Sequence, residues 1–224
     1  MIQHDSTYED LASAPVKQSD VKVIKQIVDP YGSYDDFEWT SSDVLMNVNI
    51  DVVGSFLGSA TKKAVVKLLG TVDTAFQGDL FRISTGLYDS NLSSWNYISQ
   101  GYYYVDEVTF NYEDGYTTVT MYDHIWTAQN TPYSNIADSS GITFPATVEE
   151  LAQYIASSIE AELMPNFADL PNASYSILVD PYATISNATI QTVIQEIAST
   201  TGTTAKMSDK TLEFVQFGYI GSVS

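Results

Sequence analysis

The sequence predicts an α+β fold, on three observations. Up to about residue 125 the chain reads as short to moderate alternating runs separated by turns; beyond it come two capped amphipathic helical patterns; and a tight hairpin signal closes the second part. The expected organisation is a β-rich part over residues 1–125, an α+β lobe over 126–210 with two helices on a small sheet, and a last strand within 211–224.

Taken in order, residues 1–20 are polar with weak periodicity, an arm or an edge strand. Residues 21–28, VKVIKQIV, are strand-like, and DPYGSYDDFEW after them reads as a turn-rich loop. Residues 42–58 are ambiguous. Their β-branched residues favour a strand, while Leu45, Val48, Val52 and Phe56 also make a helical face. TKKAVVKLLG and GDLFRISTGLY are strands, and SSWNYISQGYYYVDE leads into a hairpin. That hairpin turns on Asp114-Gly115, a pair that readily takes positive φ in a two-residue loop. The implied register sets Phe110 against Val119, Val108 against Met121 and, further along, Asp106 against Asp123. It also places Tyr104, Val108, Phe110, Val119 and Met121 on one apolar face.

Like charges directly opposite destabilise a strand pair, so Asp106 and Asp123 need relief. A carboxylate dyad and a cation site would each supply it. So would an ending of the ladder: Asp123 as the N-cap of a helix carrying Ile125, Trp126 and Gln129, or a bulge at 106–107. The cap or bulge is the expected outcome, and both aspartates are read as structural acids.

In the second part, Thr147 and Glu150 form a capping box ahead of Val148, Leu151, Ile155, Ile159 and Leu163, which predicts a helix that stops before Pro165. Asn187 is a cap candidate for a second helix with Ile190, Val193, Ile194 and Ile197 on one face and Gly202 as its stop. Between them ASYSILVD reads as a strand, and a hairpin turns around 208–210.

Charge excludes more than motifs include. Nine basic residues against 28 acidic ones give a net charge of −19, and none of the basic ones stands between Arg82 and Lys206. Nucleic-acid and anionic-membrane binding draw on Lys and Arg, so neither is expected. Cysteine is absent, which removes disulfides and thiolate metal sites, and His4 and His124 are the only imidazoles. No apolar run approaches the length of a membrane span and the N-terminus lacks signal-peptide features, so folding in the cytoplasm is expected.

No G-x-S-x-G turn accompanies His124, and DSNLSSWNYISQ lacks the glycine and glutamate of a calcium loop. Neither a phosphate-cradling nor a dinucleotide glycine pattern occurs. No catalytic residue, cofactor or metal is assigned. Trp95, Tyr102, Tyr103 and Tyr104 are candidate surface aromatics that could stack on sugars, against the ordinary role of tyrosine as half-buried sheet surface.

The order of the segments carries a resemblance. GYYYVDEV, a strand ending VTMYDHI, then ITFPATVEELAQYIAS, then ATISNATIQTVIQEIASTTGTTAKMSDKTLEFV resemble, over about residues 40–217, the N-terminal region of phage baseplate hub proteins, the tail-associated proteins of siphophage tail tips related to the hub of contractile tails. The last line of that pattern is met by Ile197, Ala198, Thr201, Gly202, Ala205, Ser208, Leu212 and Phe214. The resemblance implies a β-rich tube-like barrel domain followed by the α+β lobe. It further implies a structural virion protein without enzymatic activity, a homotrimer at the tail tip assembled in the host cytoplasm. Such a hub contacts the distal tail protein and the tape measure protein and gates the DNA channel. A carbohydrate- or receptor-binding module is the competing expectation.

Overall fold

The computed structural model describes residues 19–29, 32–54, 58–90, 92–133, 142–182 and 187–216. The expected N-terminal arm lies almost entirely outside the described residues. By its internal contacts the chain forms two units, Met1–Asp51 with Lys63–Asp123, and Val52–Lys62 with His124–Ser224.

The first unit is an antiparallel sheet. Its strands are β1 (Ser19–Asp29), β2 (Gly32–Thr40), β3 (Leu45–Gly54), β4 (Ser59–Leu69), β5 (Leu80–Asp89), β6 (Ser94–Asn111) and β7 (Tyr116–Tyr122), the ends of β3 and β4 falling in the second unit. They lie in the order β2-β1-β5-β6-β7-β4, with β3 on β4. This is an open path, and no pair closes it into a barrel among the described residues. Alternation decides which face is buried: β7 buries Thr117, Val119 and Met121, and β4 buries Ala64, Val66 and Leu68. Val23, Phe81, Ile83, Tyr103 and Val105 complete this core, where Trp39 stacks on Phe81 with centroids 4.7 Å apart.

Three expectations change here. Residues 32–40 are a strand and not a loop. The turn-forming residues around 29–32 only join β1 to β2, with Asp29 opposite Gly32, while Asp35 accepts hydrogen bonds from Gln26 and Arg82 and Phe37 and Trp39 pack on Phe81. Of the ambiguous residues 42–58, Leu45–Gly54 form the strand β3, and Phe56 lies outside the described residues.

The third change is the hairpin register. Asn111, not Glu113, faces Tyr116, so the loop has four residues. The Asn111 side-chain oxygen accepts from the N–H groups of Glu113 at 2.9 Å and Asp114 at 3.1 Å, and the Gly115 N–H donates to the Asn111 carbonyl at 2.9 Å. A side chain that satisfies two turn amides stabilises the wider turn. Val108 then faces Val119, and the ladder shifts between Val105 and Glu107. That bulge at Asp106 turns the rest of β6 over: Tyr103 and Val105 enter the core, and Tyr104, expected there, lies on the opposite face across from Tyr122.

The second unit packs α1 (His124–Asn130), α2 (Val148–Ser158) and α3 (Ile190–Thr201) with a small sheet. In that sheet β11 (Thr203–Ser208) pairs antiparallel with β12 (Thr211–Gln216), β12 runs parallel to β9 (Glu162–Leu163), and Ala205-Lys206 run parallel to Ser59-Ala60. β8 (Ala146–Thr147) and β10 (Ser176–Ile177) form a separate pair. Ile155, Ile190, Ile194, Phe167 and Phe214 are among the fully buried side chains, and Phe167 meets Phe214 edge-on at 5.0 Å.

The capping box forms as expected, Thr147 accepting from the Glu150 N–H while the Glu150 carboxylate accepts from the Thr147 N–H at 2.7 Å. The helix is shorter than its apolar pattern. Ile159 is its C-cap and Glu160 turns left-handed at φ 56, so Leu163 belongs to β9. For α3 the cap is Thr189 rather than Asn187, and Gly202 ends it at φ 66. Of residues 173–180 only Ser176–Ile177 are strand, with Leu178 and Val179 exposed. The closing hairpin turns at Asp209-Lys210.

Candidate functional site

The register settles the two acids. Asp106 is the extra residue of the bulge and is exposed, whereas Asp123 is buried in the position directly before α1. Among the described residues no aspartate pair faces across the strands. The dyad and the cation site lose their geometry, because both required Asp106 opposite Asp123. Among the described residues no three His, Asp or Glu side chains gather in a way that could hold a metal ion.

His124 begins α1 with its ring buried, and its Nδ1 lies 2.8 Å from the Ile159 carbonyl oxygen at the end of α2. Burial holds its pKa below the ordinary 6.5, against the Ile159 hydrogen bond and the Glu160 charge that favour the cation; the Lys210 charge adds to the lowering. This ring joins two helices.

The candidate aromatics separate. Tyr103 is fully buried, its hydroxyl donating to the Gln100 carbonyl at 3.1 Å, and Tyr102 is nearly so. Rings this far out of solvent offer no open face for a ligand to stack on, so neither is a surface aromatic. Tyr104 is half-buried opposite Tyr122. Trp95 is 39% exposed and lies against Tyr88 and Tyr97, with centroids 5.4 and 6.1 Å away.

Tyr97 is the organised member of this group. Its ring covers Gly86 on β5, where a Cβ would stand 2.6 Å from a ring carbon. Its hydroxyl donates to Asp20 at 2.7 Å and the Lys22 ammonium sits 4.7 Å from the ring centroid. Burial opposes ionisation of Asp20, but hydrogen bonds from Ser41, Tyr97 and the Val21 backbone, with the Lys22 charge, outweigh it and hold the carboxyl below its usual value.

A second surface was not singled out from the sequence. On the face of β4 and β7 opposite the core, Lys63 stands across from Tyr122 and Lys67 across from Thr118. The ammonium of Lys63 lies 5.8 Å from the Tyr122 centroid and that of Lys67 lies 4.8 Å from the Tyr116 centroid. The signal was present as spacing: 63 and 67, like 116, 118, 120 and 122, fall on one face at a period of two. In the second unit an open groove of about 450 Å³ runs beside α2 between Ile142, Pro145 and Tyr154, and Glu150, whose carboxylate is held by the capping box, forms part of its wall.

The chain is thus an α+β protein whose marked features are aromatic and basic faces on a sheet. In fold it is similar to the 43 kDa tail protein of prophage MuSo2 from Shewanella oneidensis, with a TM-score of 0.51 at 12% identity, covering 90% of this chain and 56% of that one. The chain therefore spans a little over half the length of that protein. No family model matches the sequence, and no curated protein matches it.

Proposed function

We propose that this chain is a structural component of a phage tail, and within it the hub at the tail tip. The observation that carries the reading is the fold likeness to a prophage tail protein along 90% of the chain. The segment order that resembles baseplate hub proteins points the same way and narrows the role. The chain forms a homotrimer, its β-rich unit takes part in a tube-like barrel in the assembled tip, and it joins the distal tail protein to the tape measure protein. It acts by shape and subunit contact, without a bond-breaking step, specific nucleic-acid binding or insertion into a membrane. A net charge of −19 suits a wall along which DNA passes without the counterion release that holds it to cationic surfaces. Gating of the channel follows from a position at its end.

Antibody labelling of purified virions, viewed by electron microscopy, tests this reading. Label at the tail tip is expected; absence of the protein from virions overturns it. The second reading, a carbohydrate- or receptor-binding module, is favoured by the exposure of Trp95 beside Tyr88 and Tyr97. It requires glycan binding that disappears in Trp95→Ala.

A further inference from the structure

Among the described residues, β2, β9 and β3 are strands with a neighbour on one side only. Two of these edges are guarded. β2 carries Asp35, Asp36 and Glu38 and a shift of register against β1 between Ile24 and Gln26, and β9 is two residues long. Charge, irregular pairing and shortness are the devices that keep a sheet edge from taking a foreign strand. β3 is guarded far less: it is ten residues long, without proline, lysine or arginine, and Asp51 is its one acid. Seven of the ten are exposed, Met46 to 56% and Val52 to 67%, while Val48 and Ile50 are half-buried against the core of the first unit. The outer edge of β3 is a row of backbone donors and acceptors of the kind that a further strand completes.

We propose that this edge docks the β3 edge of a second copy of the chain, the two strands running antiparallel about a two-fold axis at Asn49. The occupant follows from the strand itself, which is complementary to its own sequence in that register. Asn49 meets its counterpart, Asn47 meets the partner's Asp51, Val48 the partner's Ile50 and Met46 the partner's Val52. Amides then lie against amide or carboxylate on one face, and apolar groups against apolar groups on the other. Moving the centre by one residue sets Asp51 against Leu45 or Asn47 against Val53, and a half-step mixes the two faces, so no neighbouring register is matched along its length. In the single chain the Asn49 amide already donates to Asp51 at 2.8 Å, which orders the polar row before docking. The proposal goes beyond the tail reading and does not rest on it, since a two-fold contact closes on two copies and adds to, rather than builds, a ring of three.

The chain has no cysteine, so introduced thiols report the register. Residues opposite one another across antiparallel strands have Cα atoms about 4.5–5.5 Å apart, within disulfide reach. Asn49→Cys is therefore expected to give a covalent dimer with oxidised glutathione. Asn47→Cys is not, because four residues along a strand keep its two thiols roughly 13 Å apart; Asn47→Cys with Asp51→Cys restores the cross-link. Without oxidant, sedimentation velocity of the full chain over a wide concentration range is expected to show a dimer. Asn47→Asp sets like charges opposite each other twice in the pair and should lower the association constant by roughly tenfold. Adding Asp51→Asn brings it back to within about threefold of wild type. Adding Asp106→Asn instead, at an exposed acid three strands away, restores the net charge and not the association. Urea midpoints equal to wild type establish that the variants fold.

A monomer at every concentration overturns the β3 contact. So does association without a cross-link in Asn49→Cys, which would give the edge to another strand of the second copy, or a cross-link in Asn47→Cys alone as fast as in Asn49→Cys. Equal rescue by Asp51→Asn and Asp106→Asn overturns it too, since net charge and not register would then govern association. Virion labelling tests the tail reading separately: a labelled tip with association indifferent to Asn47→Asp removes the β3 contact and leaves the tail role.

Discussion

Gly86→Ala tests how the outer aromatic group of the first unit is held together. A Cβ at Gly86 would meet Tyr97 ring carbons at 2.6, 2.8 and 3.1 Å, inside ordinary contact distance, so the ring must move away. A shift of this kind carries the hydroxyl beyond the 2.7 Å bond to Asp20 and takes the ring from under Lys22. A hydrogen bond to a charged acceptor is worth about 1.5–3 kcal/mol, and partial exposure of both groups reduces this to about 1. The exposed cation–π contact adds about 0.5–1 kcal/mol. Against these, alanine in a strand recovers about 0.5–1 kcal/mol relative to glycine. The net expectation is a loss of about 1 kcal/mol, read as a lower urea midpoint at unchanged slope. The same substitution in a Tyr97→Ala background has no ring to displace and should be neutral or stabilising. A Gly86→Ala cost that is equal in both backgrounds refutes the argument, since the ring would then have no part in it. Loss of the Tyr97 hydrogen bond also predicts that the Asp20 pKa rises in the single variant, visible by carboxyl NMR.

Other expectations follow from single positions. Glu160 holds φ 56 without being glycine, so Glu160→Gly should stabilise by about 0.5–1 kcal/mol in chemical denaturation. His124 is buried with a lowered pKa, so below about pH 6.5 the unfolded chain takes up a proton that the folded chain declines. Its contribution to stability is complete above 6.5 and falls as pH drops toward the folded pKa; His124→Gln should flatten that part of the pH–stability curve. Asp106→Asn at the exposed bulge should leave the urea midpoint within about 0.5 kcal/mol of wild type. Asp123→Asn should still fold, because asparagine caps a helix nearly as well as aspartate, and a loss of folding on that change would refute the cap assignment.

The helices of the second unit were legible because their signals are local. A capping box at Thr147 and Glu150, the spacing of Ile190, Val193, Ile194 and Ile197, and Gly202 all act within one or two turns. The errors there are local too. Ile159 and Leu163 are apolar because the C-cap and β9 are packed into the same core, and a left-handed glutamate gives no warning in the sequence. Trp95 could be proposed as a surface ring from its residue type, but Tyr102, Tyr103 and Tyr104 could not be sorted without knowing where β6 bulges.

The sequence by itself determined the α+β class, the capped helices, the closing hairpin and the net acidity, since each is a property of neighbouring residues or of composition. Only the tertiary structure decided that residues 32–40 form a strand, that Asp106 and Asp123 never meet, and that Lys63 and Lys67 share a face with Tyr116 and Tyr122. The reason is range. Strand pairing joins residues far apart in the chain, and one extra residue in a ladder exchanges the faces of everything beyond it, so local pattern cannot say which side chain meets which.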